Sequence, residues 1–307
     1  MGDKFTVELQ GGIGNQLFIF YAAIALKNIT NKEVVFKFNG KDSRLSTHKD
    51  SLLSLSTGIE SVEILTTNPF ARFLERAVLK SSRKFKRGKW LLHYIMRIYN
   101  PREIGFDEDL LTKIRKNTLV KGYFQSYRYH ELVSRNNPSL KTLKVLNPSE
   151  AFTELYDLSD EVMPIVLHIR RGDYKSAKNR FIGCLDYSYY DEALKLIMHK
   201  RKDLAEKPVW IFTDEIESLE LRRFLKAESN RTLISGNLNL RPIEEMILMS
   251  NCSAIVIANS TFSYWSAIFA NLGAIKIAPA DWFQHRANPK DIYPKEWITL
   301  ESRWSNS

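Results

Sequence analysis

The sequence predicts an α/β protein with parallel sheets, because short apolar segments alternate with segments of helical periodicity. In the C-terminal half the strand-like segments fall at 162–169, 208–213, 231–234, 254–258 and 274–278. Helical segments separate them at 187–201, 216–227, 242–250 and 261–271. The N-terminal half begins in the same way, with a strand, a glycine loop and a helix. A chain of 307 residues with 44% hydrophobic content is large enough for two such cores.

The N-terminal half has a less regular pattern. Its predicted elements are strands at 5–9 and 34–38, a helix at 15–27, a loop at 42–58 and a mainly helical region at 66–150 with a weak strand signal near 119–124. Periodicity breaks between Asn136 and Ser149, where asparagine and proline cluster. We therefore predict domains at 1–150 and 151–285, and a C-terminal segment, 286–307, that crosses back to the first domain.

Local signals in the C-terminal half support its predicted order. Pro242 suits the first turn of its helix, and Gly273 suits the end of the helix over 261–271. A repeated succession of strand and helix is typical of a parallel sheet that helices cover on both faces.

The segment His168-Ile169-Arg170-Arg171-Gly172-Asp173 places two arginines and a carboxylate at the end of a predicted strand. Alternation along an extended chain puts His168 and Arg170 on one face and Arg171 on the other. Ligands of open α/β sheets bind beyond the carboxyl ends of the strands, and a guanidinium there matches phosphate oxygens. A structural ion pair between arginine and aspartate is the alternative interpretation of this motif alone.

A second motif, Asn259-Ser260-Thr261-Phe262 and the residues up to Ala267, follows the apolar segment 254–258 and begins a helix. Ser260 or Thr261 suits the cap of that helix, and its first backbone N–H groups form an anion site. A capping role alone would explain why serine and threonine occur at these positions. Combined with the arginines, the same helix start predicts a site for a diphosphate.

These two motifs, with Gly11-Gly12-Ile13-Gly14-Asn15-Gln16-Leu17 near the N-terminus, resemble the α-1,2-fucosyltransferases of glycosyltransferase family 11. The resemblance implies a GT-B-like architecture, in which two Rossmann-type halves face a cleft. It also implies an inverting, metal-independent transfer of L-fucose from GDP-L-fucose to the 2-hydroxyl of a terminal galactose. The donor is expected in the second half, and the galactose-terminated oligosaccharide or lipid-linked glycan acceptor against the first.

The resemblance also assigns roles to residues. Arg170 is expected at the β-phosphate, together with the helix start at Ser260, Thr261 and Phe262, while His168 and Asn259 complete the donor site. Asp214 ends the strand 208–213 and either accepts from guanine or ribose or caps the next helix.

Further residues are expected at the reacting groups. The glycine loop with Gly12 and Gly14 is expected near the donor phosphates, and Asn15 is expected to bridge phosphate and acceptor hydroxyl. Asp173 is the candidate base for that hydroxyl or a partner of Arg171, and Glu8 and His168 remain open as bases.

No metal or other cofactor is expected. Asp107-Glu108-Asp109 has the carboxylate spacing that holds Mg²⁺ in many glycosyltransferases. It precedes Leu110 and Leu111, however, so the pattern favours the acidic start of a helix.

The formal net charge of +10 is concentrated in one window. Ala71 to Arg102 contains ten Lys or Arg and one acid, a net charge of nine. A solvated helix face, nucleic acid and an anionic membrane surface are the alternatives for such a basic, aromatic segment. We favour peripheral membrane contact, since bacterial acceptor glycans are often lipid-linked, and expect no nucleic-acid partner.

Only two cysteines, Cys184 and Cys252, and no apolar stretch of membrane-spanning length are present in the sequence. We therefore expect a bacterial protein of the cytoplasm, peripheral on the inner face of the membrane. The rival functions are a fucosyltransferase of another linkage or with another guanosine-diphosphate sugar, and a non-catalytic basic adaptor for glycans or nucleic acid.

Overall fold

The computed structural model describes residues 3–39, 52–60, 63–65, 97–101, 103–176, 179, 181–236 and 239–305. The chain divides into two compact units. The first comprises Met1–Leu53, Thr57–Lys141 and Pro289–Ile292, and the second comprises Ser54–Ser56, Thr142–Asn288 and Tyr293–Ser307. Residues 142–150 thus group with the second unit, and of the C-terminal segment 286–307 only residues 289–292 group with the first.

The first unit contains a parallel sheet in which the strands have the order β3-β2-β1-β5-β4. Its strands are β1 (Lys4–Leu9), β2 (Glu33–Asn39), β3 (Glu63–Leu65), β4 (Ile98–Tyr99) and β5 (Leu119–Val120). Its helices are α1 (Ile13–Thr30), α2 (Glu108–Lys113) and α3 (Tyr127–Asn136). Helix α1 begins two residues before the predicted start, because Gly12 is its N-cap, and most of its side chains are buried.

The second unit contains a parallel sheet with the order β11-β10-β9-β6-β7-β8. Its strands are β6 (Ile165–Ile169), β7 (Val209–Thr213), β8 (Arg231–Leu233), β9 (Ala254–Val256), β10 (Ile275–Pro279) and β11 (Ile298–Leu300). Its helices are α4 (Glu150–Val162), α5 (Tyr187–Lys200), α6 (Leu219–Lys226), α7 (Pro242–Ser250) and α8 (Thr261–Phe269). The prediction of an α/β fold with parallel sheets is confirmed.

When the strands of the second unit are numbered from one to six along the chain, their order across the sheet is 6-5-4-1-2-3. This is the Rossmann arrangement. The strands that follow β6 are added towards one edge of the sheet, whereas those that follow β9 are added towards the other edge. The strand order therefore changes direction between β6 and β9. A crevice therefore opens at the carboxyl ends of these two strands, and ligands of open α/β sheets bind at such a point. The His168–Asp173 motif extends beyond the end of β6, and the Asn259–Ala267 motif starts after β9.

Two elements of this unit differ from the sequence prediction. The strand predicted from residue 162 begins at Ile165, because α4 extends to Val162 and Met163 ends that helix in the left-handed region, at φ 47°. Strand β11 was not predicted, because Ile298–Leu300 is too short to show alternation and is defined by pairing with β10.

The basic window Ala71–Arg102 lies outside the described residues except for 97–101, so membrane contact through it stays a prediction. Within the described part of the chain, none of the helices combines the length and hydrophobicity needed to cross a membrane.

Candidate functional site

The crevice of the second sheet brings together the two motifs that the sequence singled out. Leu167 in β6 pairs in parallel register with Val256 in β9, so the residues that follow each strand lie side by side. The rings of His168 and Phe262 are 5.6 Å apart, and the Tyr174 hydroxyl donates to the carbonyl oxygen of Asn259 at 3.3 Å. The residues that follow β6 and the start of α8 thus form one site.

The start of α8 has the geometry of an anion site. Buried Ser260 is the N-cap, and its hydroxyl accepts a hydrogen bond from the Phe262 N–H at 3.3 Å. Thr261 is the first helical residue. The first-turn N–H groups of a helix have no acceptor within that helix, and the helix dipole adds partial positive charge there. A phosphate group would be stabilised at this position.

Two carboxylates hold the Arg170 guanidinium at the same edge. Arg170 Nη2 lies 2.8 Å from Asp173 Oδ1, and Arg170 Nε lies 3.1 Å from Asp214 Oδ2. The Arg170 side chain is 32% exposed, so solvent or a ligand reaches it. Two of its donors are therefore used in fixing its orientation, while the rest of the planar fork remains available to an anion.

Asp214 organises the turn that follows β6. Its Oδ1 accepts the backbone N–H groups of Arg171 at 2.9 Å and Gly172 at 3.1 Å. A Cβ atom at Gly172 would lie 2.7 Å from Asp214 Oδ2, so the close approach requires glycine. The alternative role of Asp214 as a helix cap is wrong, because the Ser218 hydroxyl caps α6 by accepting from Leu221 N–H.

Arg171 points the other way, as strand alternation predicted, and pairs with carboxylates. Its side chain is 4% exposed and lies 3.2 Å from Glu215 and 2.7 Å from Glu220. Its Nη1 also donates to the Leu185 carbonyl oxygen at 3.0 Å. Asp173 is not a partner of Arg171, because its carboxylate is turned to Arg170.

Asn259 ties together two loops at the carboxyl edge. Its side-chain amide donates to the carbonyl oxygens of Ile182 at 3.0 Å, Gly183 at 3.2 Å and Trp282 at 3.3 Å. The amide nitrogen is therefore engaged with backbone, whereas the buried Oδ1 has no hydrogen-bond partner among the described residues. The amide of Asn259 thus joins two loops beside the start of α8, and its contact with the donor stays a prediction.

Burial keeps His168 neutral. Desolvation, and secondarily the positive charge of Arg170, lowers the pKa of His168 from 6.5 to about 3, although Asp214 opposes the shift. Its Nδ1 is buried and has no hydrogen-bond partner within the described part of the chain. An imidazole with such a low pKa is a weak base, so His168 is poorly suited to deprotonate an acceptor hydroxyl.

We expect His168 to make the protein less stable as the pH falls. Below pH 6.5 the unfolded chain binds a proton at this residue, whereas the folded protein does not until about pH 3. The free energy of unfolding should fall by up to about 1.4 kcal/mol per pH unit in this window from this group. Urea denaturation of wild type and His168→Asn at pH 6.5 and pH 5 checks this. Equal pH dependence in the two proteins would contradict it.

A sequence model described as "Glycosyl transferase family 11" matches residues 4–301. The chain belongs to glycosyl transferase family 11. It is therefore a glycosyltransferase, in agreement with the resemblance seen in its motifs.

Two curated proteins of Escherichia coli are similar to this family 11 chain. An alpha-1,2-colitosyltransferase is 25% identical over 96% of this chain and 98% of that protein. The O-antigen biosynthesis glycosyltransferase WbnK is 30% identical over 44% of this chain and 43% of that protein. Among solved structures, the fucosyltransferase NodZ from Bradyrhizobium is 15% identical, with a TM-score of 0.47 over 88% of this chain and 94% of that one.

The glycine loop of family 11 lies at the carboxyl end of β1 in the first unit. Gly11 has a φ of +74°, and a Cβ atom there would lie 2.7 Å from Asn15 Nδ2. A Cβ atom at Gly12 would meet no described atom within 4 Å, so a ligand can approach the backbone there. Gly14 is buried in the first turn of α1, and Asn15 Oδ1 accepts from Gln125 Nε2 at 3.0 Å.

Two residues of these sites were missed in the sequence. Tyr174 and Gln125 follow β6 and β5, and burial raises the pKa of Tyr174 to about 12, so its hydroxyl remains a donor. Proximity to the His168 motif would have indicated Tyr174. Gln125 follows a strand of two residues, which gives no periodic signal.

One other sequence interpretation is settled by local contacts. Asp107 is the N-cap of α2, its side chain accepting from Asp109 N–H at 3.0 Å, so the acidic helix start is confirmed. Trp282, in the loop after β10, is 2% exposed and packs near Tyr264 and Tyr293. Tyr264 and Trp265, on α8, are also buried in the core.

Proposed function

We propose that this family 11 enzyme transfers L-fucose from GDP-L-fucose to the 2-hydroxyl of a terminal galactose, with inversion and without a metal ion. The observation that carries the proposal is the position of Arg170 and the start of α8, which follow the neighbouring strands β6 and β9. Sequence relatives support it, since enzymes named galactoside alpha-(1,2)-fucosyltransferase 1 in rat and mouse are each 22% identical over 44% of this chain. A GT-B arrangement of the two units belongs to the same proposal.

Breaking the bond between sugar and phosphate places negative charge on the departing diphosphate. Fixed donors aimed at developing charge are usually the largest contribution to catalysis. Arg170, held by Asp173 and Asp214, supplies a full positive charge, and the first turn of α8 supplies backbone N–H groups. Together they perform the neutralisation that a divalent ion performs in other glycosyltransferases.

The acceptor hydroxyl attacks as the diphosphate leaves, and a single displacement of this kind inverts the anomeric centre. Asp173 is half exposed, and its second carboxylate oxygen is the candidate for accepting the hydroxyl proton. Asn15 is proposed to orient the acceptor, with its amide held by Gln125. A lipid-linked acceptor would bring the basic window Ala71–Arg102 to an anionic membrane surface.

A second candidate donor carries colitose, which is fucose without its 3-hydroxyl. The observation that favours it is the similarity of nearly the whole chain to an alpha-1,2-colitosyltransferase. Both donors would use the same diphosphate site, so the choice between them lies with residues around the sugar.

One assay tests the proposed function directly. Purified protein is incubated with GDP-L-fucose or GDP-L-colitose and a panel of β-1,3- and β-1,4-linked galactosides, in EDTA. We expect release of GDP that depends on the acceptor, and a product with an α-1,2 linkage by NMR. Transfer to another position would make it a fucosyltransferase of another linkage, and no GDP release with any acceptor would indicate a binding protein.

A further inference from the structure

Two loops of the second unit present an aromatic cluster at the carboxyl edge of the sheet. Phe181 follows the motif at the end of β6, and Phe283 follows β10. Their rings are 6.1 Å apart at 39°, and the Arg286 guanidinium lies 3.9 Å from the centre of the Phe181 ring. We call these three residues the aromatic platform. Both phenylalanines are half-buried, and Arg286 is exposed.

The protein fixes the backbone on both sides of this platform. The Asn259 amide binds the carbonyl oxygens of Ile182, Gly183 and Trp282, each one or two residues from a platform phenylalanine. The Gln284 N–H donates to Ile182 at 3.2 Å. A Cβ atom at Gly183, where φ is +80°, would lie 2.7 Å from Gln284 Cβ, so the loops are in close contact. The two phenylalanines are therefore held partly in solvent by a rigid support.

The platform lies on one side of the crevice, and the nucleoside is expected on the other. In Rossmann-type sheets the acidic residue that meets the nucleoside ribose follows the second strand of the unit. Here that strand is β7, which ends at Asp214, and Ser235 follows β8 beyond it. In the platform, Phe283 follows β10, on the opposite side of the crevice from β7, and Phe181 follows β6 at the crevice itself. A diphosphate at Arg170 with its nucleoside beside Asp214 would therefore carry its sugar on the side of Phe283.

We propose that Phe181, Phe283 and Arg286 bind a sugar ring of the acceptor glycan. The C–H groups on one face of a pyranose carry partial positive charge, and they meet the negative face of an aromatic ring favourably. Binding sites of this type combine aromatic surface with a few polar groups, and Arg286 offers donors to hydroxyl oxygens. The inference rests on the proposed function and adds the residues that recognise the acceptor.

The test measures acceptor and donor binding separately in Phe283→Ala and Phe181→Ala. We expect the KM for a galactose-terminated disaccharide to rise about tenfold or more in each variant, a change that corresponds to about 1.4 kcal/mol. The affinity for GDP, measured by calorimetry, should stay within about twofold. Phe283→Trp should restore the acceptor KM, because a larger ring keeps the stacking surface.

Tyr156→Ala is the matched control, since Tyr156 is another half-buried aromatic residue of the same unit, on α4. It should change neither acceptor KM nor GDP affinity. Weaker GDP binding with an unchanged acceptor KM in the platform variants would place the nucleoside at the platform and overturn the proposal. Unchanged GDP affinity together with an unchanged acceptor KM would also overturn it. Failure of the proposed function itself is distinct, because wild type would then show no transfer to any galactoside.

Discussion

Arg170→Lys is expected to lower kcat by roughly 10² to 10³ while the fold remains intact. Lysine keeps the positive charge, but it has no planar fork with which to contact Asp173, Asp214 and a phosphate at the same time. The loss should appear in kcat more than in the KM for GDP-L-fucose, because the charge that Arg170 meets develops as the sugar–phosphate bond breaks. Initial rates at saturating acceptor measure it.

Arg222→Lys is the matched control for this experiment. Arg222 also pairs with a carboxylate, 2.9 Å from Glu217, but on the exposed surface of α6, so its replacement should leave turnover unchanged. Turnover near that of wild type in Arg170→Lys would show that the diphosphate is neutralised elsewhere. Equal losses in both variants would indicate a general effect of replacing arginine.

The directions of the two neighbouring arginines could be predicted from sequence because strand alternation is a local property. Arg170 and Arg171 differ by one residue at the end of a buried strand, so their side chains must leave on opposite faces. The Ser260 cap is also local, because capping needs only a short polar side chain just before a helix. For these residues, predicted placement and structure agree.

The partners of those residues could not be predicted, because they are distant in sequence. Asp214 is more than forty residues from the turn that it holds, with a separation of 43 from Arg171, and no periodic pattern records such a contact. Asn259 likewise binds backbone carbonyls 76 and 77 residues away. Its position in the motif predicted a donor contact, which stays a prediction, whereas its role in joining two loops is visible only in the tertiary structure.

Arg171→Met is expected to lower the free energy of unfolding by about 3 kcal/mol, the lower end of the range for breaking a buried ion pair. Methionine fills a similar volume but leaves Glu215, which is 15% exposed, without its buried partner. The Leu185 carbonyl oxygen also loses a donor. The loss is limited because Lys175 still contacts Glu215 and Glu220 is 57% exposed. Urea denaturation followed by circular dichroism measures the change.

The double variant Arg171→Met with Glu215→Gln separates the lost attraction from the cost of an unpaired charge. If the unpaired carboxylate is the main cost, neutralising it should restore at least half of the stability lost in Arg171→Met. Arg170→Met serves as the comparison, because Arg170 is 32% exposed, Asp173 is 55% exposed and Asp214 keeps the hydrogen bonds from two backbone N–H groups, so it should lose activity with little loss of stability. Equal destabilisation by the two single variants would mean that both arginines are structural, and the assignment of Arg170 to the diphosphate would then lose its basis.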